Sequence, residues 1–262
     1  MTPFSGMARS LFVGALLVSA GYAVGDEYQA YKLSWDGIER SYLLYVPPGR
    51  TDVGRPLVIA AHGAGGDARN FATETGFAAA ADQFGMMVAF PEGTVWAQGG
   101  RTFNARICCG EAVTQNVDDI GFIGRIIEDV AARYPLDRAR IYATGMSNGG
   151  MLVHELAAEH SDWVAAIAPV AGAIGGMAQS GETYLVPMPA RPVSVMIVHG
   201  TRDRLVLYDG GSSPALSGQN HWKMSAADAL SFWAAADHCP GVPRISDVEP
   251  GLLRTATYVT FA

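Results

Sequence analysis

Residues 140–158 read RIYATGMSNGGMLVHELAA, and the class of the whole chain turns on how that stretch folds. Arg140–Thr144 has strand character, and Gly149–Ala158 has helical character. Between them Gly145-Met146-Ser147-Asn148-Gly149 fits GxSxG. Alone the pattern is weak. Between a strand and a helix it has the strand–turn–helix setting of a nucleophile elbow, in which a sharp, strained turn exposes a serine hydroxyl at the top of a sheet. Small Gly145 and Gly149 let neighbouring elements approach, and the helix N-terminus favours negative charge near Ser147. The competing reading is a serine in an ordinary strand-to-helix turn.

Outward from this stretch, strand and helix patterns alternate. Tyr28–Leu33 and Arg40–Val46 flank Trp35-Asp36-Gly37, which predicts a β-hairpin ended by Pro47-Pro48-Gly49. Leu57–Ala61 is wholly apolar, as suits a strand covered on both faces. Phe71–Phe84 has helical spacing, and Met86–Phe90 reads as a strand. Val117–Tyr134 places Ile120, Ile123, Ile127 and Val130 at three- and four-residue intervals, with Asp118 and Asp119 at the positive end of the expected helix. Val164–Val170 and Val193–Val198 read as strands, Ser225–Ala236 as a helix, and Thr255–Phe261 as a strand. Such alternation predicts an α/β domain over residues 26–262, with a mainly parallel, doubly wound sheet, right-handed crossovers and an N-terminal antiparallel hairpin.

Composition narrows the function. Charged residues are 16% of 262 and hydrophobic residues 49%, which argues against disorder. The net charge is −7 and no run of Lys or Arg occurs, which argues against nucleic acid as a partner. Residues 1–25 read as an export signal: Arg9, the apolar run Leu11–Ala20, then small residues at Gly21, Ala23 and Gly25. The run is shorter than the ~20 apolar residues that span a bilayer. The expected mature protein is an exported, soluble monomer, extracellular or else periplasmic, with no membrane partner. Oxidising conditions favour cysteine pairing, so a bridge from one of the adjacent Cys108 and Cys109 to Cys239 is one reading; the odd thiol is either free and buried or has lost its partner from the chain. No zinc-type spacing surrounds these cysteines and no GxxxxGK[ST] loop is present, so neither a metal nor a cofactor is expected.

Ester chemistry at Ser147 needs donors for an oxyanion. His62-Gly63-Ala64-Gly65-Gly66 follows the buried strand Leu57–Ala61. Its Gly-rich turn leaves N–H groups free, and the amides of Ala64 and of Asn148 are the candidate oxyanion donors. An acid to orient a base is expected beyond a later strand. Asp203, in His199-Gly200-Thr201-Arg202-Asp203, is the candidate, with Asp209 the weaker one. The base itself is missing from its expected place. His221 and His238 flank the helix at Ser225–Ala236, His154 and His160 lie on the helix after Ser147, and His62 and His199 lie in turns. Each reads as structural.

These motifs together resemble the secreted esterases grouped with poly(3-hydroxybutyrate) depolymerases and feruloyl or acetylxylan esterases, of the α/β-hydrolase superfamily. The resemblance runs over about residues 40–240. It rests on His62-Gly63-Ala64-Gly65-Gly66, Pro91-Glu92-Gly93, Phe103-Asn104 with Cys108-Cys109-Gly110, Val117-Asp118-Asp119, Gly145–Gly150, and His199–Asp203 with Tyr208-Asp209-Gly210-Gly211. It implies Ser147 as nucleophile, Asp203 as triad acid, and a catalytic His in a Gly-Gly-His segment followed by Trp-Pro, which this sequence does not contain. The chain is therefore read as C-terminally incomplete, lacking the last strand and the His loop, with Thr255–Phe261 left as an unpaired sheet edge. The expected function is a serine carboxylic ester hydrolase acting on small-molecule or polysaccharide-linked esters of plant origin. A polyester depolymerase, and a non-catalytic binding protein or inactive remnant on the same fold, are the alternatives, with a serine peptidase a third option; without the His the activity of this chain itself is left open.

Overall fold

The computed structural model describes residues 28–49, 53–178, 180–216, 222–239, 241, 244–249 and 253–257. The expected export signal and His221 lie outside them. Seven strands form the central sheet: β1 (Gln29–Trp35), β2 (Ile38–Tyr45), β3 (Arg55–Ala61), β4 (Met87–Pro91), β5 (Leu136–Met146), β6 (Ala166–Val170) and β7 (Ser194–Val195). Their order is β1-β2-β4-β3-β5-β6-β7. β1 and β2 form the expected hairpin, closed by Asp36 and Gly37, both at positive φ (49° and 73°), as a two-residue turn of primed type requires. β2 also runs antiparallel to β4; from β4 to β7 every pairing is parallel.

The helices are α1 (Ala68–Glu74), α2 (Phe77–Phe84), α3 (Asp119–Arg133), α4 (Asn148–Glu159) and α5 (Ala226–Ala236), with shorter helical turns at Gly110–Thr114 and Pro214–Leu216. The apolar run of β3 divides by side-chain parity, as the two-residue strand period dictates. Leu57, Ile59 and Ala61 join the core of α3, α4 and α5, whereas Val58 and Ala60 join that of α1 and α2. Burial on both faces is why this strand reads as uninterrupted apolar sequence.

Three expectations are corrected. Phe71–Phe84 is two helices, because Gly76 turns left-handed (φ 67°) and caps α2. Of the strand expected at Thr255–Phe261, the described part does not lie in the central sheet. Leu253–Thr257 pairs with Arg244–Glu249 in a separate antiparallel sheet, and residues 258–262 are outside the described set. The described edges of the central sheet are β1 and the β7 segment, and beside the latter Met196 and Val198 are 62% and 45% exposed. Finally, Cys108 pairs with its neighbour Cys109, and Cys239 is free. The Cys108 carbonyl is held by the Asn148 side chain, and Cys109 caps the next helical turn.

Candidate active site

Ser147 sits between β5 and α4 at φ 54° and ψ −114°, a sparsely populated region for any residue with a side chain. Surrounding structure over-determines it. The Ser147 N–H donates to Val170 O (2.8 Å), and the Ser147 carbonyl accepts from the Met151 N–H (2.9 Å). A Cβ at Gly149 would collide with the Ala61 and His62 carbonyls, so only glycine lets α4 start this close to the end of β3. A side chain built on Gly63 would begin 3.6 Å from Ser147 Cβ, so the Gly-rich turn at 62–66 borders the serine. In that turn the Gly65 N–H donates to Arg101 O and the Gly66 N–H to Gly63 O. The Ala64 N–H has no hydrogen-bond acceptor among the described residues. Asn148 opens α4, where N–H groups have no intrahelical partner.

His62 builds that turn. Its Nδ1–H donates to Gly63 O (2.8 Å), and its Nε2 accepts from the Gly93 N–H (3.1 Å). Burial lowers its pKa and keeps the ring neutral, as this pattern needs. The Pro91-Glu92-Gly93 stretch adds further ties: Glu92 Oε1 accepts from the Ala68 N–H (3.1 Å) and lies 3.3 Å from Arg101 Nε.

The side chain of Asn148 was not singled out from sequence, yet it is fully buried and uses both its ends. Oδ1 accepts from the Phe103 N–H (2.7 Å), and Nδ2 donates to Phe103 O (3.0 Å) and Cys108 O (2.9 Å). One link further on, the Asn104 N–H donates to Asp119 Oδ2 (2.7 Å), and Asp119 Oδ1 takes a 2.6 Å bond from buried Arg40. Asp119 therefore serves the 103–110 loop rather than the helix end, which Asp118 caps by accepting from the Gly121 N–H (2.8 Å). Lys223, also buried, donates to Ile107 O (2.5 Å); burial lowers its pKa to about 8. The available signal for these residues was polar side chains recurring inside apolar sequence, which does not tell what each one meets.

Asp203 follows β7 at the same C-terminal end of the strands as Ser147: the Ala171 N–H donates to Val198 O, next to the Val170 carbonyl that holds Ser147. Asp203 Oδ1 accepts from the Leu205 and Val206 N–H groups (2.8 and 3.1 Å). Its Oδ2 makes no hydrogen bond among the described residues and lies 3.7 Å from His199 Nε2, whose N–H is committed to Val206 O (2.8 Å). His154 is buried and accepts from Trp233 Nε1–H (2.9 Å), with a pKa lowered to about 3 by burial. His160 stacks on Trp163. No hydrogen bond joins Ser147 to a histidine among the described residues.

Residues 40–211, about two thirds of the chain, match the family described as esterase PHB depolymerase. The chain belongs to that family. Feruloyl esterase B of Piromyces equi is 32% identical over 208 residues, covering 78% of this chain and 37% of the relative. The bifunctional acetylxylan esterase/xylanase XynS20E of Neocallimastix patriciarum is 27% identical over 153 residues, covering 58% of this chain and 20% of the relative. The chain thus spans well under half the length of these two relatives. The solved structure of a thermostable esterase superposes with a TM-score of 0.57 at 19% identity, covering 81% of this chain and 52% of that one. It shares the α/β-hydrolase fold of this esterase PHB depolymerase family member. No described helix is long and apolar enough to cross a membrane.

Proposed function

We propose that the protein is a serine carboxylic ester hydrolase acting on feruloyl or acetyl esters of plant polysaccharides. The observation that carries this reading is Ser147, held at φ 54° on a strand–helix turn beside the 62–66 turn. Ser147 Oγ would attack the ester carbonyl, forming the acyl–oxygen bond as the alcohol leaves. The N–H groups of Ala64 and Asn148 would receive the developing negative oxygen. Water would then cleave the acyl-enzyme. Asp203, with Oδ2 open, is the acid that would orient the base taking the serine proton. The substrate class is supported by the names of the two relatives, and export by the pattern of residues 1–25.

One observation favours a second reading, a non-catalytic binding protein on this fold: no described histidine is hydrogen-bonded to Ser147. Hydrolysis of p-nitrophenyl acetate and methyl ferulate, measured for the protein and for Ser147→Ala, separates the two. The esterase reading expects at least ~10²-fold loss in the variant. Equal rates in both proteins sink it. Release of soluble 3-hydroxybutyrate oligomers from a polymer film, without turnover of methyl ferulate, would move the substrate to the polyester class.

A further inference from the structure

One surface groove with no role in the ester chemistry lies away from Ser147. A groove of about 440 Å³ runs along α3, with Trp35 and Trp163 among its lining residues. Ile141, on its floor, precedes Ser147 by six strand residues, which puts the groove about 20 Å from the serine. Two helix glycines admit the indoles. A Cβ at Gly121 would collide with the Trp35 ring, and one at Gly124 would come within 2.7 Å of Trp163 Cη2. Positions i and i+3 share one helix face, so the rings lie side by side, about one turn apart. Both are half-buried, each packed against the core and still bordering the groove. Trp35 is locked by its Nε1–H to Asp118 Oδ2 (3.0 Å) and Trp163 by stacking on His160.

The rim sets the ligand chemistry. Arg125 and Arg138 face Glu128 and Asp162, two positive charges against two negative ones. Arg138 donates twice to Glu128 (2.8 and 2.7 Å). A balanced rim gives no field to hold a polyanion, while the two indoles that border the groove, one of them already stacked on His160 by one face, carry π density that attracts polarised C–H groups. Pyranose rings have such C–H faces, and their equatorial hydroxyls suit a rim of forked donors and carboxylate acceptors. We propose that this groove is an auxiliary binding site for an uncharged polysaccharide chain, separate from the Ser147 site. It stands whether or not Ser147 is catalytic.

Affinity electrophoresis in gels containing neutral arabinoxylan tests it, with Ser147→Ala as the parent so that hydrolysis does not intervene. The parent is expected to be retarded, and the Trp35→Ala/Trp163→Ala double variant to bind at least about tenfold more weakly, at a few-fold to tenfold per indole. Far-UV circular dichroism and a cooperative urea transition check that the double variant is folded, and any p-nitrophenyl acetate turnover of the unaltered protein should survive the same double substitution. Should the double variant not fold, Trp163→Phe should bind a few-fold more weakly, and soluble xylo-oligosaccharide should shift the tryptophan emission of the parent. An unretarded parent, equal retardation of parent and variants, or retardation only in gels containing dextran sulfate would overturn the proposal.

Discussion

Asn148→Ala removes the side chain that fastens the 103–110 loop to the front of α4. Three groups lose their partner: the Phe103 N–H, the Phe103 carbonyl and the Cys108 carbonyl, bonded at 2.7, 3.0 and 2.9 Å. Asn148 is fully buried, so water does not replace these bonds freely. At about 1–3 kcal/mol per orphaned buried group, with water entry reducing the total, the expected loss is about 3–6 kcal/mol of a stability that is itself ~5–15. Asn148→Asp sharpens the test. It keeps the acceptor for the Phe103 N–H but sets a carboxylate against two carbonyl oxygens. The new carboxyl, buried and facing acceptors, should have a folded-state pKa above its unfolded value of about 3.9. The native state then binds more protons, so this variant should lose stability as pH rises from about 4 through the folded pKa. Urea denaturation of the three proteins at pH 4.5 and pH 7.5 reads both effects. A loss under about 1 kcal/mol for Asn148→Ala, or an Asn148→Asp penalty that does not grow between the two pH values, would refute the reasoning.

Two further perturbations follow from the same loop. Asp119→Ala leaves Arg40 buried opposite no carboxylate and frees the Asn104 N–H, so about 3–5 kcal/mol of stability should be lost, read as a drop in the urea midpoint. Glu155 is buried against Arg106 (2.7 Å), and burial pushes its pKa up to about 7. The folded state therefore holds the proton more tightly than the unfolded chain, and this group's stabilising effect is full at acid pH and lost as pH rises from about 4.5 to 7. Glu155→Gln should flatten the fall in melting temperature over that interval; an unchanged slope would count against it.

Much of the fold was legible because burial imposes a period on sequence. The run Leu57–Ala61 read as a doubly covered strand, and its alternate residues do enter the two cores on either side of the sheet. The split at Gly76 was less legible, since helical spacing continues on both sides of a single left-handed residue. The cysteine partners were not legible, because spacing along the chain says nothing about which sulfurs meet. Of the candidate site, the serine turn and its Gly-rich neighbour were readable as motifs. The roles of Asn104 and Asp119 were not, because they join the 103–104 backbone to the start of α3, 15 residues on.

Local sequence, by itself, determined the elbow. Two glycines flanking Met146-Ser147-Asn148, a strand before and a helix after, leave the chain few other ways to turn. It also determined the hairpin and the alternation of strands and helices, for these depend on neighbours along the chain. Tertiary structure alone decided which polar groups are satisfied by which, from the Arg40–Asp119–Asn104 chain to the placing of two tryptophans on Gly121 and Gly124. Those contacts join elements that are distant in sequence. Their partners are chosen by packing, and packing leaves no periodic mark on the chain.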